Sequence, residues 1–216
     1  MNVTFSLVGE GTSDLNLVAP IESLLLRYGA ESVEARPVDL STVPDRVGHK
    51  VVEKVKWVVE NDTNVDIIFV HRDADNAGYD KRYGEISDAF RDFASDFNWV
   101  PVIPVRTIEA WILVEEYEIR RVADNPNGRI DLDVPSVKDV ESIKNPKEKL
   151  FDLLRQASEV SGRRLKKLNR SLGRCRSRLI DQLDVEGPVK ELESWKTFEA
   201  YTKKACSKIL DPRSWM

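Results

Sequence analysis

The sequence is poor in the residues that usually announce a chemistry. Its 216 residues include two cysteines, Cys175 and Cys206, and two histidines, His49 and His71. Two distant cysteines without CxxC spacing exclude a disulfide framework, and two histidines cannot complete the usual His/Cys zinc cage. A reducing cytoplasm is the expected compartment, and any metal is expected to be a hard ion held by carboxylates, Mg²⁺ or Mn²⁺. No apolar run nears the roughly 20 residues needed to span a bilayer, and Val3 to Val8 lacks a basic flank, so neither membrane insertion nor secretion is expected. No Gly-Lys dipeptide occurs, which excludes a P-loop. There is no internal repeat and no low-complexity linker.

What is present is ordinary globular composition, 41% hydrophobic and 32% charged, with an uneven charge distribution beneath a net charge of −4. Residues 1–162 carry 19 Lys/Arg against 30 Asp/Glu, whereas Arg163 to Arg178 holds eight basic residues and no acid. An acidic body beside a concentrated basic segment suits either a solvated surface or a centre that must hold a polyanion.

Hydrophobic periodicity alternates between strand and helix. Met1 to Val8 reads as a strand, Gly9 to Ser13 as a tight turn, and Leu17 to Tyr28 as a helix capped by Thr12 or Ser13 and stopped by Gly29. Ser32 to Val38 is the next strand. Pro44 opens a helix with Val47, Val51, Val55 and Val58 on its face, ended by Asn61-Asp62, and Asp66 to Val70 follows as a buried strand. A helix with Ile86, Ala89, Phe90, Phe93 and Phe97 inward leads to a fourth strand, Asn98 to Val105. Pro101 and Pro104 place that strand at an edge or make it fray early, because proline cannot donate to a ladder. Thr107 to Val122 reads as one helix. The pattern predicts an α/β body over residues 1–125, a mainly parallel four-stranded sheet with helices on both faces. After a loop rich in breakers, residues 126–216 are expected to form a helical appendage. Its first helix opens at Pro146, its basic segment spans residues 163–178, and its last helix runs from about Val189 to Leu210.

Ligands of open parallel sheets bind beyond the carboxyl ends of the strands, and this sequence places acids there. Glu10 follows the first strand, with Asp14 one helical turn on. Asp73 and Asp75 follow the third, where an extended Asp-x-Asp points both carboxylates to one face, and Glu109 follows the fourth. Five converging carboxylates repel one another unless a cation neutralises them, and Mg²⁺ or Mn²⁺ is the natural occupant. Gly9-x-Gly11 resembles the start of a dinucleotide fingerprint, but Asp14 fills the slot of its third glycine and would repel a pyrophosphate. Arg72 and Arg106 sit beside the acids, either to hold a phosphate or to pair with Asp and Glu. His71 reads more readily as a satisfied structural side chain than as a metal ligand. The tryptophans read as core.

The stretch Val8-Gly9-Glu10-Gly11-Thr12-Ser13-Asp14 with His71-Arg72-Asp73-Ala74-Asp75 resembles the Toprim fold of topoisomerases, bacterial primases and overcoming-lysogenization-defect nucleases. Arg106-Thr107-Ile108-Glu109-Ala110-Trp111 and Asn145-Pro146-Lys147 are similar, more narrowly, to small bacterial Toprim-like proteins linked to phage defence. The resemblance covers about the first 125 residues. It implies that Glu10 acts as general acid/base or metal ligand, that Asp73 and Asp75 bind Mg²⁺, that Asp14 is the second acid of the first motif, and that Glu109 acts near the metal. The chain lacks the tyrosine domain of topoisomerases and the zinc module of primases, so the implied activity is metal-dependent phosphodiester hydrolysis in DNA or RNA. The alternative is a non-catalytic metal-binding subunit that assembles or regulates a defence complex. An ATPase partner subunit and a homodimer are both open.

Leu165, Leu168, Leu172 and Leu179 recur at helical spacing through the basic segment and anchor it while its cations face outward. Arg163, Arg164, Lys166, Lys167, Arg170 and Arg174 form either a solvated face or a clamp on a nucleic-acid backbone, positioning it without reading sequence.

Overall fold

The computed structural model describes residues 1–39, 42, 47–62 and 64–210. Four strands, β1 (Asn2–Val8), β2 (Ser32–Pro37), β3 (Ile67–His71) and β4 (Trp99–Val102), form one parallel sheet in the order β2-β1-β3-β4. β4 lies at an edge, where the missing N–H of Pro101 costs no ladder bond on its outer side.

Period-two alternation divides β1 between two cores. Val3, Phe5 and Leu7 join Ile67, Phe69, Val100 and Val102 on one face. Val8, Ile68 and Val70 point to the other, which α2 (Val51–Asn61) and α3 (Tyr79–Phe93) cover with Val55, Val58, Ile86, Ala89 and Phe90. The first face is covered by α1 (Val18–Arg27), α4 (Glu109–Ile112), α5 (Glu116–Val122), α6 (Pro146–Ser158), α7 (Gly162–Asp181) and α8 (Glu193–Leu210). Helices on both faces of a parallel sheet are the arrangement the sequence pattern calls for. The helices after residue 126 share a single hydrophobic core with the sheet.

Aromatic contacts carry that sharing. Phe5 meets Phe69 edge-on at 5.4 Å, Phe69 meets Phe198 of α8 at 6.2 Å, and Trp111 of α4 meets Trp195 of α8 at 4.9 Å. Trp111 donates its indole N–H to the Ser194 hydroxyl at 2.8 Å, so the buried ring is satisfied.

Several local expectations change. The turn after β1 leads into a 3-10 segment, Thr12–Leu17, and the side chain that reaches back into the turn is Asp14, which accepts the N–H groups of Glu10 and Gly11, not Thr12 or Ser13. Gly29 stops α1 with φ +103°, a conformation open to glycine. Pro44 lies outside the described residues; α2 begins at Val51, and Val47 precedes it. Asp62 ends α2 as the sequence indicates. Phe93 is exposed at the end of α3. The single helix over 107–122 is two, because Ile108 and Ala110 to Leu113 are all buried and Trp111 is pinned to Ser194. The chain then turns at Glu115 into α5, which packs on α6 and α7. The last helix likewise splits into a 3-10 turn, Pro188–Glu191, and α8. Among the described residues no helix is long and apolar enough to cross a membrane.

If the core is shared, Trp195→Ala costs about 3–5 kcal/mol, as large buried aromatics do. Denaturant unfolding followed by far-UV circular dichroism and by tryptophan fluorescence is then expected to give one coincident transition at lower denaturant. Two separate transitions would count against it.

Candidate functional site

Parallel pairing puts Val8 beside Val70 and His71 beside Val102, so the loops leaving β1, β3 and β4 emerge side by side at one sheet edge. Pairing continues past the strands, with Arg72 N–H donating to Val102 O at 3.1 Å and Ala74 N–H to Pro104 O at 3.1 Å. The loops that carry Glu10, Asp14, Asp73 and Asp75 therefore lie together at the carboxyl edge, the position expected of a parallel-sheet site.

Asp14 folds back into the β1 loop. Its Oδ2 accepts the N–H groups of Glu10 at 2.8 Å and Gly11 at 3.1 Å. Gly9 permits this, since a Cβ there would lie 2.8 Å from Asp14 Cβ. His71, fully enclosed, sits between two acids: Nδ1 is 3.1 Å from Asp14 Oδ2 and Nε2 is 3.3 Å from Asp73 Oδ1. These are ion-pair distances without hydrogen-bond alignment. Burial alone pushes the imidazole down, but the contacts and charges of Asp14 and Asp73 override it and raise His71 to about 10. Burial pushes Asp14 up, and the His71 contact and charge with the two backbone N–H groups outweigh it, holding the carboxyl well below its usual range. Asp73 Oδ1 also accepts the N–H of Ile108 at 3.1 Å, which fastens the start of α4.

The remaining acids each face a cation of the protein. Glu10 lies 3.1 Å from Arg72, which also reaches Glu85 at 3.2 Å, so Arg72 takes the pairing role of its two sequence alternatives. Asp75 has φ +47° and is exposed, 3.8 Å from Arg82. The Asp-x-Asp is thus not extended, and its two carboxylates diverge. Glu109 is buried and paired at 2.6 Å with Arg176, a member of the basic segment. It packs between α4 and α7, and a buried carboxylate with its own guanidinium is not free for a metal. Arg106 makes no ion pair among the described residues; it donates to Asn76 Oδ1 at 2.5 Å and to the Asp75 carbonyl at 3.3 Å.

Mutual repulsion among the acids, the premise for a divalent ion, is thereby relieved from within by His71, Arg72, Arg82 and Arg176. Among the described residues no three His, Cys, Asp or Glu side chains come together to hold a metal. As placed, the residues do not fit Mg²⁺ or Mn²⁺.

Lys54, which sequence reasoning passes over, is buried and donates to the carbonyls of Gly9 at 2.8 Å and Glu10 at 3.0 Å. Burial pushes its ammonium below its ordinary value. The signal was there: residues 51, 54, 55 and 58 form one helical stripe, so a lysine at 54 must face inward. On α7, Arg163, Arg164, Lys166, Lys167, Arg170 and Arg174 are exposed while Leu172 and Leu179 are buried. The C-terminal half of α7 lies against the turn after β1, where Asn16 donates to Ser177 at 3.2 Å. A cleft of about 650 Å³ opens beside Asp75 and Arg106 and runs to the start of α6, with Lys144, Lys147, Phe151 and Arg155 in its wall. Only Asn145-Pro146-Lys147 hinted at it. No family model, curated protein or solved structure matches the chain.

Arg176→Ala is expected to destabilise the fold by about 3–5 kcal/mol, because it leaves Glu109 buried and unpaired. Glu109→Gln with Arg176→Met should recover most of that loss in the same denaturation assay. His71 is raised on folding, so its contribution is complete below about pH 6.5 and is lost as pH rises through about 10. In chelator, the stability gap between the parent and His71→Gln should therefore narrow from pH 6.5 towards 10; a constant gap would contradict an imidazolium between the two acids.

Proposed function

We propose that the protein hydrolyses phosphodiester bonds in nucleic acid at the carboxyl edge of its sheet, as the Toprim resemblance implies. The observation that carries this reading is the placement of Glu10, Asp73 and Asp75 on loops that leave one sheet edge, with Arg72 against Glu10 and Arg82 near Asp75, where Asp75 and Arg106 form part of the wall of a cleft that carries further cations. A guanidinium suits the two non-bridging oxygens of a phosphodiester, since it matches them in a fork and keeps its charge at any working pH. In this reading Arg106, which has no carboxylate partner among the described residues, receives the phosphate. Arg72 holds Glu10, the residue that takes a proton from the attacking water as its oxygen bonds to phosphorus and returns that proton to the leaving oxygen as the other P–O bond breaks. The exposed cations of α7 hold the polyanion near an acidic edge that would otherwise repel it. Mg²⁺ or Mn²⁺ is implied by the resemblance alone, and no step is derived through it.

The internal neutralisation of the acids favours a second reading, a subunit that binds or assembles without turnover. Cleavage of supercoiled DNA, single-stranded DNA and bulk tRNA, with Mg²⁺, with Mn²⁺ and in chelator, separates the two. Glu10→Gln is expected to lower the rate by about 10²-fold or more, the scale of a lost general base, and Asp75→Asn, at the cleft wall, is expected to lower it as well. Equal cleavage by parent and variants would overturn the hydrolytic assignment, and binding without cleavage by the parent would select the second reading. Replacing Arg163, Arg164, Lys166 and Lys167 with Gln should weaken nucleic-acid binding most at low salt.

A further inference from the structure

The cleft between the β3 and β4 loops and the start of α6 has features that the acid edge does not use. Its wall carries four cations, Arg106, Lys144, Lys147 and Arg155, with one aromatic ring, Phe151. Its three acids are already engaged: Asp152 pairs with Arg155 at 2.7 Å, Asp75 lies 3.8 Å from Arg82, and Glu148 is 3.4 Å from the Asn145 amide. Lys144, Lys147 and Arg106 are left with no carboxylate within ion-pair distance among the described residues.

Two further observations concern the same wall. No side chain caps the 13-residue α6, whose Pro146 has no N–H to offer, so the N–H groups of Lys147 and Glu148 head a helix dipole at the cleft. Arg106 itself adopts φ +63°, locked by Asp75 N–H donating to its carbonyl at 2.9 Å. A non-glycine residue held in the left-handed region costs free energy, and such strain collects at ligand sites.

We propose that this cleft is a subsite for a nucleoside phosphate. Its phosphate lies on Arg106, Lys144, Lys147 and the head of α6, and its base stacks on Phe151. The volume falls in the range of small-molecule sites. Phe151 is half-buried, packed against the core on one side and presented to the cleft on the other, which makes it a fixed platform for a base. The ligand is either a free mononucleotide or one residue of a single strand. The assignment deepens the proposed function, since the subsite adjoins Asp75, but binding itself does not require turnover.

The test measures binding to the full chain in chelator, by calorimetry or anisotropy. The probes are deoxyadenosine 5′-monophosphate, deoxyadenosine, inorganic phosphate and a short single-stranded oligodeoxyadenylate. Lys144→Ala with Lys147→Ala, both exposed positions, is expected to weaken the monophosphate or the oligonucleotide about tenfold or more and, for the oligonucleotide, to flatten the salt dependence by about 0.7 per charge removed. Phe151→Leu, checked for an unchanged thermal midpoint, should weaken the nucleotide about tenfold without affecting inorganic phosphate. Loss confined to the oligonucleotide identifies a strand as the ligand, and loss confined to the monophosphate identifies a free nucleotide. Binding that ignores both lysines, or deoxyadenosine held as tightly as its monophosphate, would overturn the proposal. Nucleotide binding that persists in a parent protein unable to cleave would sink the hydrolytic assignment and leave the subsite standing.

Discussion

One buried imidazole ties together the three loops at the carboxyl edge. His71 ends β3 with Asp14 from the β1 loop on one nitrogen and Asp73 on the other, and Asp73 in turn holds the N–H of Ile108 after β4. Both nitrogens face carboxylates, so the ring is stable there as a cation with two donors, and a neutral ring would present a lone pair to one acid. The geometry of Glu10, Arg72 and the start of α4 follows from that clasp.

The clasp also changes the electrostatics of the edge. Carboxylates a few ångströms apart must be neutralised or protonated, and a divalent ion is one solution. This protein uses another, setting its own cations opposite each acid: His71, Arg72, Arg82 and, deeper, Arg176. Among the described residues, the cations outside ion pairs lie farther out, at Arg106, Lys144 and Lys147 around the cleft and along the exposed face of α7. The acidic edge is thus internally balanced, and its surroundings are attractive to anions.

The C-terminal helices take part in this arrangement because they are built into the core. Trp195 and Phe198 of α8 close over Trp111 and Phe69, while α7 contributes Arg176 to Glu109 and Ser177 to the β1 turn. Residues 126–216, which read as a helical appendage, supply one wall of the cleft from the start of α6 and, from the basic segment, the Arg176 counter-charge of Glu109.

The sequence by itself determined the alternation of strands and helices, the edge position of the proline-bearing β4, the start of α6 at Pro146 and the end of the sheet at which the acids gather. These follow from periodicity, from the missing proline N–H and from the handedness of parallel crossovers, all properties of short segments or of chain order. Tertiary structure alone decided which acid meets which cation. Glu109 and Arg176 are 67 residues apart, and Lys54 reaches the carbonyl of Gly9 from 45 away. It also set the left-handed turn at Asp75 that separates it from Asp73, and the break between α4 and α5 where Trp111 is anchored to Ser194. Such pairings depend on burial and on partners that only packing brings within reach, and burial is what makes a charge demand a partner.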